Sequence, residues 1–342
     1  MKSVAIARNG GPECLQVQES ADPEPGKGRV RVRVKAVGVN FADILMRMGL
    51  YPGAPPVPFV PGYEACGVID AVGPEVTAWR PGDKVIVATN FGGYTDTLLA
   101  PADEVFRLPE GKSFEAGAAL TVNYLTAYEA LVEQGHLRQG GRVLIHGAAG
   151  GVGIAAIQIA KIFGAQMFGT ASKAKHDFIK KQGCQRPIDY RTEDFEKVIR
   201  EETKGAGVHC ALDPIGGESF TKSYRSLAVT GKLICYGMSS MATGKEKSLL
   251  SAAWAWWQTK RYSPLDLMME NRGVIGLHLG RMPNEKALLT GAMQQLIAWW
   301  DQGKLDPVVG ATFPLEFAGK AHDYIQGREN IGKVVLTAGG AA

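Results

Sequence analysis

From residue 142 onward, short unbroken apolar runs alternate with longer segments in which apolar positions recur at helical spacing. The runs are Arg142-Val143-Leu144-Ile145, Gln166 to Thr170, Pro187 to Asp189, Val208 to Leu212, Lys232 to Tyr236 and Val274 to His278. Each is bounded by glycine, proline or charge, the mark of a strand buried on both faces. Between the first five lie Ile154 to Phe163, Ser172 to Gln182, Thr192 to Lys204 and Glu218 to Leu227. These predict helices: the first three stop at Gly164, Gly183 and Gly205, and the fourth precedes a turn at Gly231. Thr192 is the expected N-cap of the third, with Glu193 and Asp194 in its first turn. Such alternation implies an α/β fold with a doubly wound, six-stranded parallel sheet.

The first 122 residues read differently. Arg29-Val30-Arg31-Val32-Arg33-Val34-Lys35 has the two-residue period of a strand with one buried face and a solvated basic face. Ala65 to Val72 and Lys84 to Ala88 are further short strands. In Tyr51 to Gly62 five prolines remove donors and fix the backbone, which predicts an ordered loop near a cleft. The end of the chain returns to β texture at Thr312 to Pro314 and Gly332 to Leu336, around a helix near Glu316 to Gln326. The expected division is a β-rich domain over 1–122, an α/β domain over 123–281, and a return to the first over 282–342.

The turn His146-Gly147-Ala148-Ala149-Gly150-Gly151-Val152-Gly153 joins the first run to the first helix. Glycines there let the backbone approach a pyrophosphate, whose charge is met by free amides and the positive end of the helix dipole. The first glycine of the usual GxGxxG is Ala148, and tight strand-to-helix packing is the competing reason for such glycines. The second strand ends at Phe168-Gly169-Thr170, so an acid reading a ribose 2′-hydroxyl belongs near 168–172, and the first acid is Asp177. Ser172, Lys173 and Lys175 stand there instead and suit a 2′-phosphate, which favours NADPH; the alternative is that the lysines solvate a helix start.

Composition narrows the picture. With 342 residues and 45% hydrophobic content the chain is long enough for two sizeable cores. A net charge of +4, dispersed, argues against nucleic acid. Cys14, Cys66, Cys184, Cys210 and Cys235 form no CxxC pair, which points to a reducing compartment. No 18-residue apolar stretch or signal peptide is present, so a soluble, cytoplasmic protein is expected. His136, His146, His209, His278 and His322 lack ligand partners at helical spacing, so no metal site is read. Leu249 to Trp257, with Trp254, Trp256 and Trp257 ahead of Lys260 and Arg261, reads either as a helix over a cleft or dimer contact, or as a peripheral membrane contact.

Pro61-Gly62-Tyr63-Glu64 with Gly67-Val68, Pro81-Gly82-Asp83-Lys84-Val85, Ala148 to Gly153 and Gly332-Lys333-Val334 together resemble the medium-chain dehydrogenase/reductases. The match spans essentially the whole chain. Gly38-Val39-Asn40-Phe41-Ala42-Asp43, with Arg47 and Gly49-Leu50-Tyr51, resembles the quinone oxidoreductase branch. Val122-Asn123-Tyr124, Pro187-Ile188-Asp189-Tyr190, Asp213-Pro214 with Gly216-Gly217, and His278-Leu279-Gly280 are similar to vesicle amine transport protein homologues.

That resemblance implies a GroES-like catalytic domain, a Rossmann domain inserted before its last elements, and a cleft between them. It places Asn40 where the zinc branch has cysteine and Tyr63 where it has the histidine before glutamate, so catalysis by a zinc-bound alkoxide is not expected. It implies Asn40 and Thr126 beside a nicotinamide, Gly150, Gly151, Val152 and Gly153 at the pyrophosphate, and Tyr190 at the 2′-phosphate, joining Ser172, Lys173 and Lys175 there; Thr170, at the end of the second strand, is a further cofactor-binding candidate. Gly237, Met238 and Asn330 complete the cofactor set. Without a Lewis acid, hydride acceptors that spread charge by conjugation remain: quinones, or enals, enones and enoyl thioesters. In related enoyl thioester reductases a tyrosine matching Tyr51 is the candidate proton donor. A homodimer is also implied, with Val274 to Leu279 pairing across a two-fold axis.

Overall fold

Two sheets organise the chain in the computed structural model, which describes residues 1–241, 257–282 and 285–338. Lys2–Ile6 (β1) and Leu15–Glu19 (β2) form an antiparallel pair. Arg29–Val39 (β3), Phe41–Arg47 (α1), Glu64–Val72 (β4), Lys84–Ala88 (β5), Thr97–Pro101 (β6) and Val105–Arg107 (β7) follow. Val30, Val32 and Val34 are buried on one side of β3, as the two-residue period requires. The basic side is not simply solvated. Arg31 Nε and Arg33 Nε clamp the two oxygens of Asp70 on β4 at 2.9 and 2.6 Å, so the arginines staple neighbouring strands.

Helix Phe114–Tyr128 (α2) packs on β3, β4 and β5 and, beyond them, on the second layer of the molecule. The position where the chain changes texture, near residue 122, lies inside this helix. Then come Arg142–Ile145 (β8), Gly151–Ile162 (α3), Gln166–Ala171 (β9), His176–Gln182 (α4), Arg186–Asp189 (β10), Phe195–Glu202 (α5), Val208–Asp213 (β11), Glu218–Arg225 (α6), Leu227–Cys235 (β12), Pro264–Glu270 (α7) and Gly273–Gly276 (β13). Six strands pair in parallel in the order β10-β9-β8-β11-β12-β13. The order reverses between β8 and β11, so a crevice opens beyond the carboxyl ends of those strands.

The third helix of this sheet begins later than its residues suggest. Asp189 O accepts the amides of Thr192 and Glu193, and Glu193 turns back onto the Asp189 amide at 2.9 Å. That turn delays the helix, and Asp194, not Thr192, is its N-cap, accepting from Glu196 N at 3.0 Å. Similarly, Ser172 precedes a single 3-10 turn before α4. Finally Lys286–Asp301 (α8), Val309–Pro314 (β14), Ala318–Gln326 (α9) and Lys333–Thr337 (β15) return the chain to the first sheet, whose order is β14-β15-β3-β4-β5-β7, with β6 paired to β3. The return is pinned at the glycine turn, where Gly332 N donates to Ala149 O at 2.8 Å.

Candidate functional site

The two sheets meet along a cleft of about 2210 Å³ at the strand-order reversal. Its floor is the glycine turn. Gly147 adopts φ +60°, and Gly150 caps α3 with extended backbone. A Cβ on Gly151 would stand 2.2 Å from Asn123 Nδ2, and one on Gly153 2.3 Å from Gly147 O. Those two glycines serve close packing. At Gly150 the nearest atom is Gly147 O at 3.3 Å, which leaves the positive end of a twelve-residue helix facing the cleft. A pyrophosphate fits this cradle.

Asn40, Tyr51, Thr126, Gly150, Gly151, Val152, Gly153, Thr170, Ser172, Lys175, Tyr190, Gly237, Met238 and Asn330 all line this one cleft. Lys173 does not: it lies exposed, outside the lining, because the 3-10 turn carries it to the solvent side. Lys175 is held differently from a freely solvated cation. Its ammonium donates to Arg328 O at 2.8 Å and Asn330 O at 2.6 Å, and burial lowers its pKa. Two residues missed at the level of sequence join it, Arg191 and Arg328. Burial raises the Tyr190 phenol, but hydrogen bonds from Arg328 and Arg191 outweigh that and hold it below its usual value. Only the fold brings Arg328 beside Tyr190; nothing in local spacing signals it.

At the other end, Asn40 begins α1 and its amide is locked. Asn40 Nδ2 donates to Glu64 Oε1 at 3.0 Å, and Lys333 Nζ donates to Asn40 Oδ1 at 2.6 Å and also to Glu64 Oε1. Glu64 Oε2 accepts from Val122 N at 2.7 Å, so β4, α1, α2 and β15 converge on one buried carboxylate. Gly38 is needed here, since its Cβ would lie 2.4 Å from Glu64 Oε1 and 2.5 Å from Ala118 O. Beneath them Asp43 accepts from Asn40 N at 2.8 Å and Tyr94 OH at 3.0 Å, and burial pushes its carboxyl up to about 7. Thr126 Oγ1 donates back to Val122 O at 2.7 Å, leaving its lone pairs for the cleft.

Tyr51 opens the proline-rich loop, as its residues suggest, and is half-buried. Its ring packs 5.4 Å from His278, which arrives from the second sheet, and 6.5 Å from Tyr63. Burial raises the Tyr51 phenol, with a hydrogen bond from Tyr63 acting the other way. Burial lowers the pKa of His278. Asn40 and Glu64 are thus committed to Lys333, while the Tyr63 hydroxyl donates to Met46 Sδ at 3.8 Å and its ring packs against Tyr51. Among the described residues no group of three His, Cys, Asp or Glu side chains is arranged to hold a metal.

Of the tryptophan-rich segment, residues 242–256 lie outside the described residues, while Trp257 is exposed, as are Leu265, Met268 and Met269 on α7. Among the described residues no helix is long and apolar enough to cross a membrane.

Comparison with known proteins agrees with this geometry. Residues 26–110 match the alcohol dehydrogenase GroES-like domain, and residues 182–336 match the zinc-binding dehydrogenase family. The synaptic vesicle membrane protein VAT-1 homolog of Danio rerio is 42% identical over 338 residues, covering 98% of this chain and 70% of that protein. The Escherichia coli quinone oxidoreductase, solved in complex with NADPH, superposes with a TM-score of 0.87 at 30% identity, over 98% of this chain and 100% of that one. The enoyl reductase CurK superposes with a TM-score of 0.84 at 29% identity, over 98% of each chain. The chain belongs to the medium-chain dehydrogenase/reductase superfamily of oxidoreductases, in the branch of the VAT-1 homologues.

Proposed function

We propose that the protein is a zinc-independent, NADPH-dependent reductase that passes a hydride to quinones. The observation that carries this reading is the pairing of two ends in one cleft: Ser172, Lys175, Tyr190, Arg191 and Arg328 at one, and Asn40, locked by Lys333 and Glu64, at the other. When bound, NADPH supplies two electrons as hydride. The glycine turn holds its pyrophosphate, and the amide of Asn40 and the hydroxyl of Thr126 orient the nicotinamide. Tyr51, across the cleft, holds a proton at its phenol oxygen for the reduced acceptor. The neighbouring enoyl reductase supports the second enzymatic reading, reduction of a conjugated double bond in enones, enals or enoyl thioesters.

Purified protein is offered NADPH with a panel of quinones, enones and enoyl thioesters, and absorbance of the reduced cofactor is followed. Oxidation by quinones is the expected result; oxidation by enones or thioesters alone transfers the assignment to double-bond reduction. Loss of no absorbance with any acceptor favours a reading from another class, a vesicle-surface or lipid-binding protein, for which the exposed Trp257, Leu265, Met268 and Met269 speak.

The preference for NADPH rests on the guanidinium pair. Arg328→Gln is expected to weaken NADPH binding by about tenfold to a hundredfold, the loss of one charge-assisted contact to phosphate, while NADH binding changes less than threefold or so. Titration of the two cofactors by nicotinamide fluorescence checks it, and equal losses for both refute the 2′-phosphate assignment. We further propose a homodimer in a cytoplasmic setting, with the edge strand β13 pairing across a two-fold axis; light scattering that gives a monomer mass opposes it.

A further inference from the structure

A second polar network, of which the roles above use only Thr170, lies directly under the glycine turn. His146, Thr170, Ser223 and Asp213 are all buried, on β8's end, β9, α6 and β11 respectively. Asp213 Oδ2 accepts Ser219 Oγ at 2.6 Å and Ser223 Oγ at 2.8 Å. Asp213 Oδ1 accepts the amides of Ile215 and Gly216 at 2.8 and 3.4 Å. With four donors on it, Asp213 acts only as an acceptor. The single proton of Ser223 is therefore committed, and its oxygen can only accept from His146 Nε2, 2.9 Å away. This fixes the tautomer: the proton of a neutral His146 sits on Nε2, and Nδ1 is an acceptor. Burial lowers the pKa of His146, in keeping with the neutral form, and Phe195 holds its ring edge-on at 4.6 Å.

The next link follows by the same count. Thr170 Oγ1 lies 3.0 Å from His146 Nδ1, so it must donate to it. Its lone pairs are all that it can offer to the cleft, which it lines at the end of the second strand. An acceptor at that place is what a ribose hydroxyl needs, and in NAD-binding folds an acid supplies it. We infer that His146 is a positioning residue: the relay Asp213–Ser223–His146–Thr170 fixes the Thr170 oxygen as an acceptor for the free 3′-hydroxyl of the adenosine ribose. The inference rests on the nucleotide reading above and adds to it a contact that leaves the 2′ position to Lys175, Arg191 and Arg328.

The probes are 2′,5′-ADP and its 3′-deoxy analogue, titrated by calorimetry into the full-length protein. The wild type is expected to bind 2′,5′-ADP about tenfold more tightly than the deoxy analogue, the effect of one hydrogen bond. Thr170→Val should erase that preference and Thr170→Ser should keep it. Ser223→Ala removes the one hydrogen-bond acceptor that His146 Nε2 has among the described residues, leaving Asp213 Oδ2 3.7 Å away, so Nδ1 is no longer held as the acceptor for the Thr170 hydroxyl and the preference should narrow to about threefold or less. In the Ser223→Ala/Thr170→Val double variant the two losses should not add, as expected of one chain of contacts. Thermal melting of each variant, with Thr170→Ser as the conservative control, separates these effects from unfolding. A wild type without the preference, or a preference unchanged in Thr170→Val or Ser223→Ala, overturns the relay. Whether the wild type binds NADPH at all decides the nucleotide reading separately, and its failure takes the relay's proposed role with it.

Discussion

Lys333→Met should destabilise the protein by about 3–5 kcal/mol, the range for removing one partner of a buried ion pair. The ammonium is 2% exposed and the Glu64 carboxylate it meets is fully buried. Methionine fills nearly the same volume, so the loss is electrostatic rather than a cavity. What remains around Glu64 is the Val122 amide and the Asn40 side chain, two hydrogen bonds on a carboxylate with no compensating charge. Urea denaturation at neutral pH measures the effect. The double variant Glu64→Gln/Lys333→Met removes both charges and should recover part of the loss, because the Gln oxygen can still accept from Val122 N while its NH2 can donate to Asn40 Oδ1, which the loss of Lys333 frees, with no charge to solvate. A loss under about 1 kcal/mol in the single variant would place this pair with weak surface bridges and refute its structural weight.

Tyr51→Phe should lower enone reduction about a hundredfold, within the range for loss of a positioned general acid. The phenol ordinarily titrates near 10 and burial raises it further, so Tyr51 is protonated at neutral pH and able to donate. Phenylalanine keeps the ring packed against His278 and Tyr63, so binding of NADPH should survive and the loss should fall on turnover. Quinone reduction should be affected less. There the proton goes to an oxygen, which solvent can supply, whereas an enone needs a proton at carbon. Steady-state turnover with both acceptors, alongside the cofactor dissociation constant, checks this; unchanged enone turnover with cofactor binding intact excludes Tyr51 as the acid.

Much of the architecture was legible because its signals are local. An apolar run, a glycine turn and an amphipathic helix are each set by near neighbours, so six parallel strands and the turn at His146 to Gly153 follow from periodicity. Departures arise where a side chain reached outside its own segment. Thr192 is not a cap because Asp189 and Glu193 close a turn first. Arg31 and Arg33 look like a solvated face until β4 delivers Asp70 between them. Lys173 and Lys175 are equivalent in sequence, yet one points to solvent and the other is bound by the returning chain.

The site divides in the same way. The residues alone establish a glycine turn suited to a pyrophosphate and the lack of an acid for a ribose 2′-hydroxyl; the family resemblance adds the expectation that Asn40 and Tyr63 stand where a zinc branch places ligands. Tertiary structure decides the rest. Lys333 lies 269 positions from Glu64 and Arg328 lies 153 from Lys175, separations over which no local pattern carries information. Burial then sets the strength of each contact, since charges and hydroxyls that water would screen are held in a cleft where few partners are available. Composition and spacing determine which groups this chain can offer to a nucleotide; the long-range return of β15 onto β3, beside the glycine turn, decides which of them face one another.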